Sequence, residues 1–148
     1  MKTIQLLLKK ANPGMLPAMH HFLTGMKLPV SDLPADLSGF TLAFDGDELV
    51  GTAGMELMGR IGLLRSVAVA ETHRNRQLGG ELFAAALDHA RENGVQEVFL
   101  ITDSAAEYFE KNGFQRVERS EAPVEIAGTA QFAGLCPASA VVMKRVIA

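Results

Sequence analysis

The sequence is poor in cysteine and in long apolar runs, and both shortages exclude classes of protein. Cys136 is the one cysteine among 148 residues, so no disulfide can form within the chain. No apolar stretch approaches the ~20 residues that a membrane-spanning helix needs. The N-terminal MKTIQLLLKK has too short an apolar run before its lysines to be a signal peptide. We therefore predict a soluble, cytoplasmic protein without a membrane partner.

Positive charge is scarce as well. The chain has 14 Lys+Arg against 17 Asp+Glu, a formal net charge of −3, and its basic residues are scattered along the sequence. A protein that binds nucleic acid needs a basic patch that neutralises phosphates. We therefore exclude DNA and RNA as main partners.

The histidines do not form a metal-binding pattern. His20 and His21 are neighbours on a predicted helix, so their side chains point about 100° apart. No third ligand lies near them in the sequence, although metal sites need several. We predict that the protein holds no metal.

The length and the composition fit one domain. A chain of about 150 residues buries roughly 70% of its extended surface, and 48% of these residues are hydrophobic. No repeat, linker or low-complexity segment interrupts the sequence. We predict a single domain over residues 1–148.

Apolar periodicity and turn residues predict a mixture of strands and helices. Strands are predicted at 3–8, 40–44, from 48 onward, 61–70, 97–102, 114–118 and 140–146. Helices are predicted from Pro13 to Gly25, after a Ser104–Glu107 capping box, and from Pro123. A further helix is predicted from an apolar stripe that consists of Leu78, Leu82, Phe83, Ala86, Leu87 and Ala90. Turns near Gly46 and Gly59 join three antiparallel strands.

The stretch LLRSVAVAETHRNRQLGG, residues 63–80, predicts a strand, a polar loop and a glycine-rich helix start. The free N–H groups and the positive dipole end of a helix start bind anions, and Arg74 and Arg76 add positive charge. Neither a P-loop nor a G-x-G-x-x-G pattern is present, which disfavours nucleotide hydrolysis and hydride transfer. We predict a phosphate or pyrophosphate ligand; the alternative is an ordinary helix start with two solvated arginines. His73 can reach a phosphate from this loop, but we expect it to be a solvated turn residue.

Two motifs carry a resemblance to a known family. The run from Arg74 to Gly79, RNRQLG, resembles motif A of the GNAT superfamily of acetyl-CoA-dependent N-acetyltransferases, Arg/Gln-x-x-Gly-x-Gly/Ala, with Gln77 at the usual first glycine. The stretch AAEYFEKNGF resembles the family's Tyr-x-x-x-Gly-Phe helix, but Phe109 holds the tyrosine position and Tyr108 comes one residue early. The predicted order of strands and helices is also that of the family. LPVSDL, GMELMGRIGLLRSVAV and TAQFAGLCPASAVVM are similar to its arsenic-resistance branch.

The resemblance implies a fold and a co-substrate. The fold is α/β, with a mixed sheet of six to seven strands flanked by helices, and the co-substrate is acetyl-CoA. The strand 67–69 would pair with the pantetheine arm as an added strand, and backbone N–H groups of 76–80 would bind the pyrophosphate. The candidate residues for acetyl-CoA binding are Val67, Ala68, Val69, Arg74, Asn75, Arg76, Gln77, Leu78, Gly79, Gly80 and Thr102.

The acceptor side is predicted from a hairpin. A turn centred on Gly59-Arg60 makes Glu56 and Arg65 diagonal neighbours on one face of otherwise apolar strands. Glu56 can take a proton from an ammonium group through water, and Arg65 can grip a carboxylate in a bidentate fork; a structural ion pair is the equal alternative. Ser66 faces the other way and either bonds a carbonyl or fills a strand position. The candidate catalytic residues are Glu56, Arg65, Ser66 and Tyr108.

The function implied is transfer of an acetyl group from acetyl-CoA to the primary amine of a small, carboxylate-bearing molecule. The amine attacks the thioester directly, so we expect Cys136 to be a packed small residue rather than a nucleophile. The departures at Gln77 and Phe109 leave open an acetyl-CoA-binding sensor with little turnover. Acetylation of a protein N-terminus or lysine is a third hypothesis. The oligomeric state is not fixed by the sequence, and a homodimer is compatible with it.

Overall fold

The computed structural model describes residues 6–28, 30, 31, 33, 37–73, 78–102, 105–129, 132 and 140–147. Within these residues the chain forms seven strands and four α-helices. The strands are β1 Leu6–Lys10, β2 Phe40–Asp45, β3 Glu48–Met58, β4 Ile61–Val69, β5 Glu97–Thr102, β6 Gln115–Val117 and β7 Val141–Val146. The α-helices are α1 Leu16–Gly25, α2 Leu78–Glu92, α3 Ala106–Lys111 and α4 Val124–Ala127. Short 3₁₀ helices occupy Pro13–Met15, Glu71–His73 and Arg119–Glu121.

The strands form one mixed sheet in the order β1-β2-β3-β4-β5-β7-β6. β4 and β5 are parallel, and the pairs β1–β2, β2–β3, β5–β7 and β6–β7 are antiparallel. Parallel neighbours need a long crossover connection, and the chain supplies α2 between β4 and β5. This mixed sheet flanked by helices confirms the predicted fold class.

Two tight turns set the registers of the predicted hairpins. Asp45 pairs with Glu48, so Gly46-Asp47 is a two-residue turn, and the bounds of β3 and β4 leave Gly59-Arg60 between them. The φ angles of Gly46 and Gly59 are 61° and 69°, a left-handed region that glycine enters without a Cβ clash. Both turns lie where the sequence predicts them.

The contacts divide the chain into two compact units, and the first consists of Met1–Met55 and Ser66–His89. One cluster of its core contains Ala11, Met19, Leu37, Phe40 and Leu42. Five of the six residues of the predicted α2 stripe lie in this unit and Ala90 lies in the second; all six are buried. A Cβ at Gly51 of β3 would lie 2.7 Å from Cδ1 of Leu82, so the bare glycine lets α2 pack closely on this strand.

The second unit consists of Glu56–Arg65 and Ala90–Ala148. The last strand of the chain, β7, pairs with β5 from Glu97↔Val146 to Thr102↔Val141, and with β6 on its other side. A core cluster of this unit contains Ile61, Leu63, Phe99, Ile126 and Val142. That residues 1–148 act as a single domain stays a prediction.

The start of α3 and the end of β1 differ in position from the predictions. The N-cap of α3 is Ala105, which makes no side-chain cap. It follows the predicted N-cap Ser104, which lies outside the described residues, so the Ser104–Glu107 capping box stays a prediction. The Thr102 hydroxyl at the end of β5 accepts a hydrogen bond from the Ala105 N–H at 3.0 Å. β1 continues to Lys10 because Lys9 and Lys10 pair with β2, and residues 3–5 of the predicted strand lie outside the described residues. None of the helices in the described part of the chain is long and apolar enough to cross a membrane.

Candidate active site

Glu56 near the end of β3 and Arg65 in β4 form an ion pair. Arg65 Nη1 donates a hydrogen bond to Glu56 Oε1 across 3.3 Å. The two-residue turn between the strands brings these residues together although they are nine positions apart. This confirms the predicted juxtaposition of the two side chains.

The two members of the pair differ in exposure, which the sequence could not indicate. The Arg65 side chain has 0% of its surface exposed, whereas the Glu56 side chain has 19%. A buried guanidinium needs a carboxylate partner, because an uncompensated buried charge costs several kcal/mol. Glu56 therefore neutralises Arg65 and is also the member of the pair that a molecule from solvent can reach.

Ser66, the next residue of β4, has an unusual backbone conformation. Its φ is 55°, a region in which non-glycine residues are uncommon. The other described non-glycine residue with a positive φ, Lys27, lies just past the end of α1, where such angles are frequent. Inside a strand, this conformation costs about 1–3 kcal/mol and persists only where the surroundings fix it.

A buried threonine on the neighbouring strand holds the Ser66 backbone. The hydroxyl of Thr52 in β3 donates a hydrogen bond to the Ser66 carbonyl oxygen at 2.6 Å. Thr52 is fully buried and Ser66 is nearly so. Thr52 could not be singled out from the sequence, because a threonine in a strand is ordinary and its contact depends on the irregularity at Ser66.

The rest of β4 carries the predicted pantetheine segment. Val67 and Val69 are half-buried, and Ala68 is buried. The next N–H group, that of Ala70, donates to the Val50 carbonyl at 2.7 Å, so the chain stays tied to β3 beyond the end of β4. The role of this segment in acetyl-CoA binding stays a prediction.

The predicted anion loop is described in part. Arg74, Asn75, Arg76 and Gln77 lie outside the described residues. Leu78 opens α2 and is buried, Gly79 is half-buried, and Gly80 is exposed. A Cβ placed on Gly80 would have no heavy atom within 4 Å. The first turn of α2 has backbone N–H groups without helical acceptors, and the open space at Gly80 allows a ligand to approach them.

The expectation that His73 is a solvated turn residue is wrong. Its ring is buried, with Nε2 2.9 Å from Asp45 Oδ2 and Nδ1 2.7 Å from the Thr72 hydroxyl. The 3₁₀ helix Glu71–His73 brings the ring to the last residue of β2. The contact ties the start of the loop region to the end of a strand 28 positions earlier.

The last candidates lie in the second unit. Thr102 ends β5 and its hydroxyl is engaged at the start of α3. On α3 the Tyr108 side chain is 41% exposed, while Phe109 is buried and packs edge-on against Phe114 at 5.8 Å between ring centroids. The Tyr108 ring contacts the Phe109 ring edge-on, with 5.2 Å between centroids, so Phe109 belongs to the core and Tyr108 lies at its exposed side. The roles of both residues in catalysis stay predictions. Cys136 lies outside the described residues.

Within the described residues, no group of three or more His, Cys, Asp or Glu side chains is arranged to hold a metal ion.

The sequence of the chain matches one known protein family, and its structure is similar to several solved structures. Residues 13–114, more than half of the chain, match the profile of the Acetyltransferase (GNAT) family. No curated protein has a matching sequence. Among solved structures, N-acetylglutamate synthase from Neisseria gonorrhoeae, complexed with coenzyme A and N-acetyl-glutamate, has a TM-score of 0.82 at 19% identity, covering 99% of this chain and 36% of that one.

Two other similar structures are covered almost completely by this chain. Rv2747 from Mycobacterium tuberculosis, in complex with CoA, has a TM-score of 0.77 at 20% identity over 96% of this chain and 99% of that one. An acetyltransferase of the GNAT family from Staphylococcus aureus has a TM-score of 0.77 at 20% identity over 97% and 100%. The chain thus spans about a third of the synthase and almost all of the other two. At these identities the likeness shows the fold, and the profile match shows that the chain belongs to the GNAT family of acetyltransferases.

Proposed function

We propose that the protein is an acetyl-CoA-dependent N-acetyltransferase that acts on the primary amine of a small, carboxylate-bearing molecule. The observation that carries the proposal is the Glu56–Arg65 pair: an ion pair with one reachable carboxylate, set in otherwise apolar strands. Charged residues in such positions are rare unless they are paired or functional. Membership of the family supports acyl transfer as the reaction.

Glu56 is proposed to activate the amine. A primary amine is mostly protonated at neutral pH, and only the neutral form can attack a thioester. The partly exposed Glu56 carboxylate accepts this proton, directly or through a water molecule, while the ion pair with Arg65 holds the carboxylate in place. General bases of this kind contribute about 10²- to 10⁴-fold to a rate.

Arg65 is proposed to favour acceptors that carry a carboxylate. Its guanidinium is fully buried, so a bidentate contact with an acceptor carboxylate requires the Glu56–Arg65 pair to shift when the acceptor binds. The synthase from Neisseria gonorrhoeae was crystallised with N-acetyl-glutamate, which is the N-acetylated form of a carboxylate-bearing amine. The sequence likeness to the arsenic-resistance branch adds arsenical and phosphinic amino-acid mimics as candidate acceptors.

The donor is proposed to bind through the main chain. The strand segment 67–69 pairs with the pantetheine arm, and N–H groups of 76–80 at the start of α2 receive the pyrophosphate. The structures of the synthase and of Rv2747 contain CoA, which supports this choice of ligand. Thr102 at the end of β5 is a further candidate contact.

The proposed reaction needs no covalent enzyme intermediate. The neutral amine nitrogen attacks the thioester carbonyl, a C–N bond forms, and the tetrahedral intermediate expels the CoA thiolate as the C–S bond breaks. The proton lost by the nitrogen passes to solvent or to the thiolate. A thiol has a pKa near 8.5, so the thiolate can leave without a dedicated acid, and the exposed Tyr108 is not required as one.

Thiol release separates this proposal from its two alternatives. Acetyl-CoA is mixed with a panel of small amines, with and without a carboxylate, and with peptides that offer an N-terminus or lysine, and free CoA is measured. An N-acetyltransferase of small molecules releases CoA with the carboxylate-bearing amines. A sensor binds CoA, as seen by calorimetry, but releases none with any amine, and a protein acetyltransferase responds to the peptides alone.

A further inference from the structure

The Ser66 carbonyl accepts a hydrogen bond from a side chain of the neighbouring strand, that of Thr52. In an antiparallel ladder, backbone N–H groups of one strand donate to carbonyls of the next. At Ser66 a side-chain hydroxyl also supplies a donor, at 2.6 Å, and it does so where the backbone is in the left-handed region, at a φ of 55°. Thr52 is fully buried, so solvent cannot replace the hydroxyl as a donor to this carbonyl.

Holding the Ser66 carbonyl also fixes the next N–H group. The C=O of Ser66 and the N–H of Val67 belong to one planar trans peptide, so they point in opposite directions. The Thr52 hydroxyl therefore directs the Val67 N–H away from itself. Val67 is the first residue of the segment proposed to pair with the pantetheine arm, which ends in the reactive thioester.

We propose that Thr52 is a positioning residue, whose hydroxyl acts through the Ser66 peptide to aim the Val67 N–H at the thioester carbonyl of acetyl-CoA. The inference rests on the proposed function, since it needs acetyl-CoA on this strand. The N–H stabilises the negative charge that develops on the carbonyl oxygen during attack. CoA lacks this carbonyl, so the contact distinguishes acetyl-CoA from CoA even when no acceptor is present.

The test compares both ligands on matched variants. Dissociation constants of CoA and acetyl-CoA are measured by calorimetry for the wild type, Thr52→Val and Thr52→Ser, together with kcat on a carboxylate-bearing amine. Thr52→Val keeps the shape but lacks the hydroxyl. We expect it to raise the dissociation constant of acetyl-CoA by about three- to tenfold, the scale of one neutral hydrogen bond, and to leave the dissociation constant of CoA unchanged. We expect kcat to fall by about tenfold or more, since loss of a similar donor in other acyl-transfer sites costs 10²- to 10³-fold.

Controls separate positioning from packing. Thr52→Ser keeps the hydroxyl and should restore both readouts, while Thr41→Val removes another buried threonine hydroxyl, from β2, and should change neither. If Thr52→Val does not fold, Thr52→Ala and Thr52→Ser form a pair that differs by the hydroxyl alone. Equal losses for CoA and acetyl-CoA, or an unchanged kcat in a folded variant, would overturn the inference. Wild-type protein that binds neither ligand would overturn the proposed function itself.

Discussion

Replacing Glu56 by glutamine tests the proposed base directly. Glu56→Gln keeps the length of the side chain and an oxygen that can accept the hydrogen bond from Arg65, but it removes the negative charge. At the observed 3.3 Å, two unit charges attract each other by about 5 kcal/mol at an effective dielectric constant of ~20. Desolvation of the pair offsets part of this attraction.

The expected loss of stability follows from the burial of Arg65. Removing one partner of a buried pair costs about 3–5 kcal/mol, and because the amide oxygen still accepts a hydrogen bond we expect about 3 kcal/mol, the lower end. For a domain of this size that lowers Tm by about 6–12 °C. Thermal unfolding measures the change, and assays below the lowered Tm then report on folded protein.

The loss of activity should have a distinctive pH dependence. At pH 7 we expect the acetylation rate to fall by about 10²- to 10⁴-fold. For an acceptor amine with a pKa near 10.4, the neutral fraction rises about tenfold per pH unit below that value. The variant depends on this fraction, whereas the wild type makes neutral amine with Glu56, so the gap between their rates should narrow as the pH rises.

Two results would refute this reasoning. A folded Glu56→Gln protein with the wild-type rate at pH 7 would leave Glu56 as a structural partner of Arg65. A defect of constant size across the pH range would point to a distorted site rather than to a missing base. Glu48→Gln, the same chemical change at an exposed position of the same strand, serves as the control and should match the wild type.

Three further predictions follow from the site. Arg65→Lys keeps the charge but loses the planar guanidinium, so the binding free energy of a carboxylate-bearing acceptor should weaken by about 1–3 kcal/mol. The binding of CoA and of an amine without a carboxylate should not change. Equal losses of affinity for all three ligands in calorimetry would indicate a structural role. Gly80→Ala places a Cβ in open space within a helix, so it should raise the free energy of unfolding by about 0.5–1 kcal/mol. It should nevertheless lower the affinity for CoA, because the new Cβ occupies the proposed pyrophosphate site. Gly25→Ala is the control, and an unchanged CoA affinity in Gly80→Ala would contradict the assignment. Tyr108→Phe should change kcat by less than about tenfold, since loss of a true general acid costs 10²- to 10⁴-fold; a hundredfold loss with intact CoA affinity would make Tyr108 the acid.

Local patterns in the sequence determined much of the fold. The apolar stripe of α2 repeats with the helical period, and all six of its residues are buried. β5 occupies the predicted residues 97–102, and the turns at Gly46 and Gly59 follow from the backbone freedom of glycine. A two-residue turn at Gly59 also dictates which residues of the hairpin meet, so the Glu56–Arg65 contact was predictable.

The tertiary structure decided the features that depend on distant parts of the chain. The sequence places Glu56 near Arg65, but only packing decides that the guanidinium is buried and the carboxylate is reachable. Likewise the burial of His73 depends on Asp45, 28 positions away, and the hold on the Ser66 carbonyl depends on Thr52, 14 positions away. A left-handed residue within a strand leaves no mark in the sequence when that residue is a serine, because non-glycine residues rarely adopt this conformation and only the surrounding contacts hold it there.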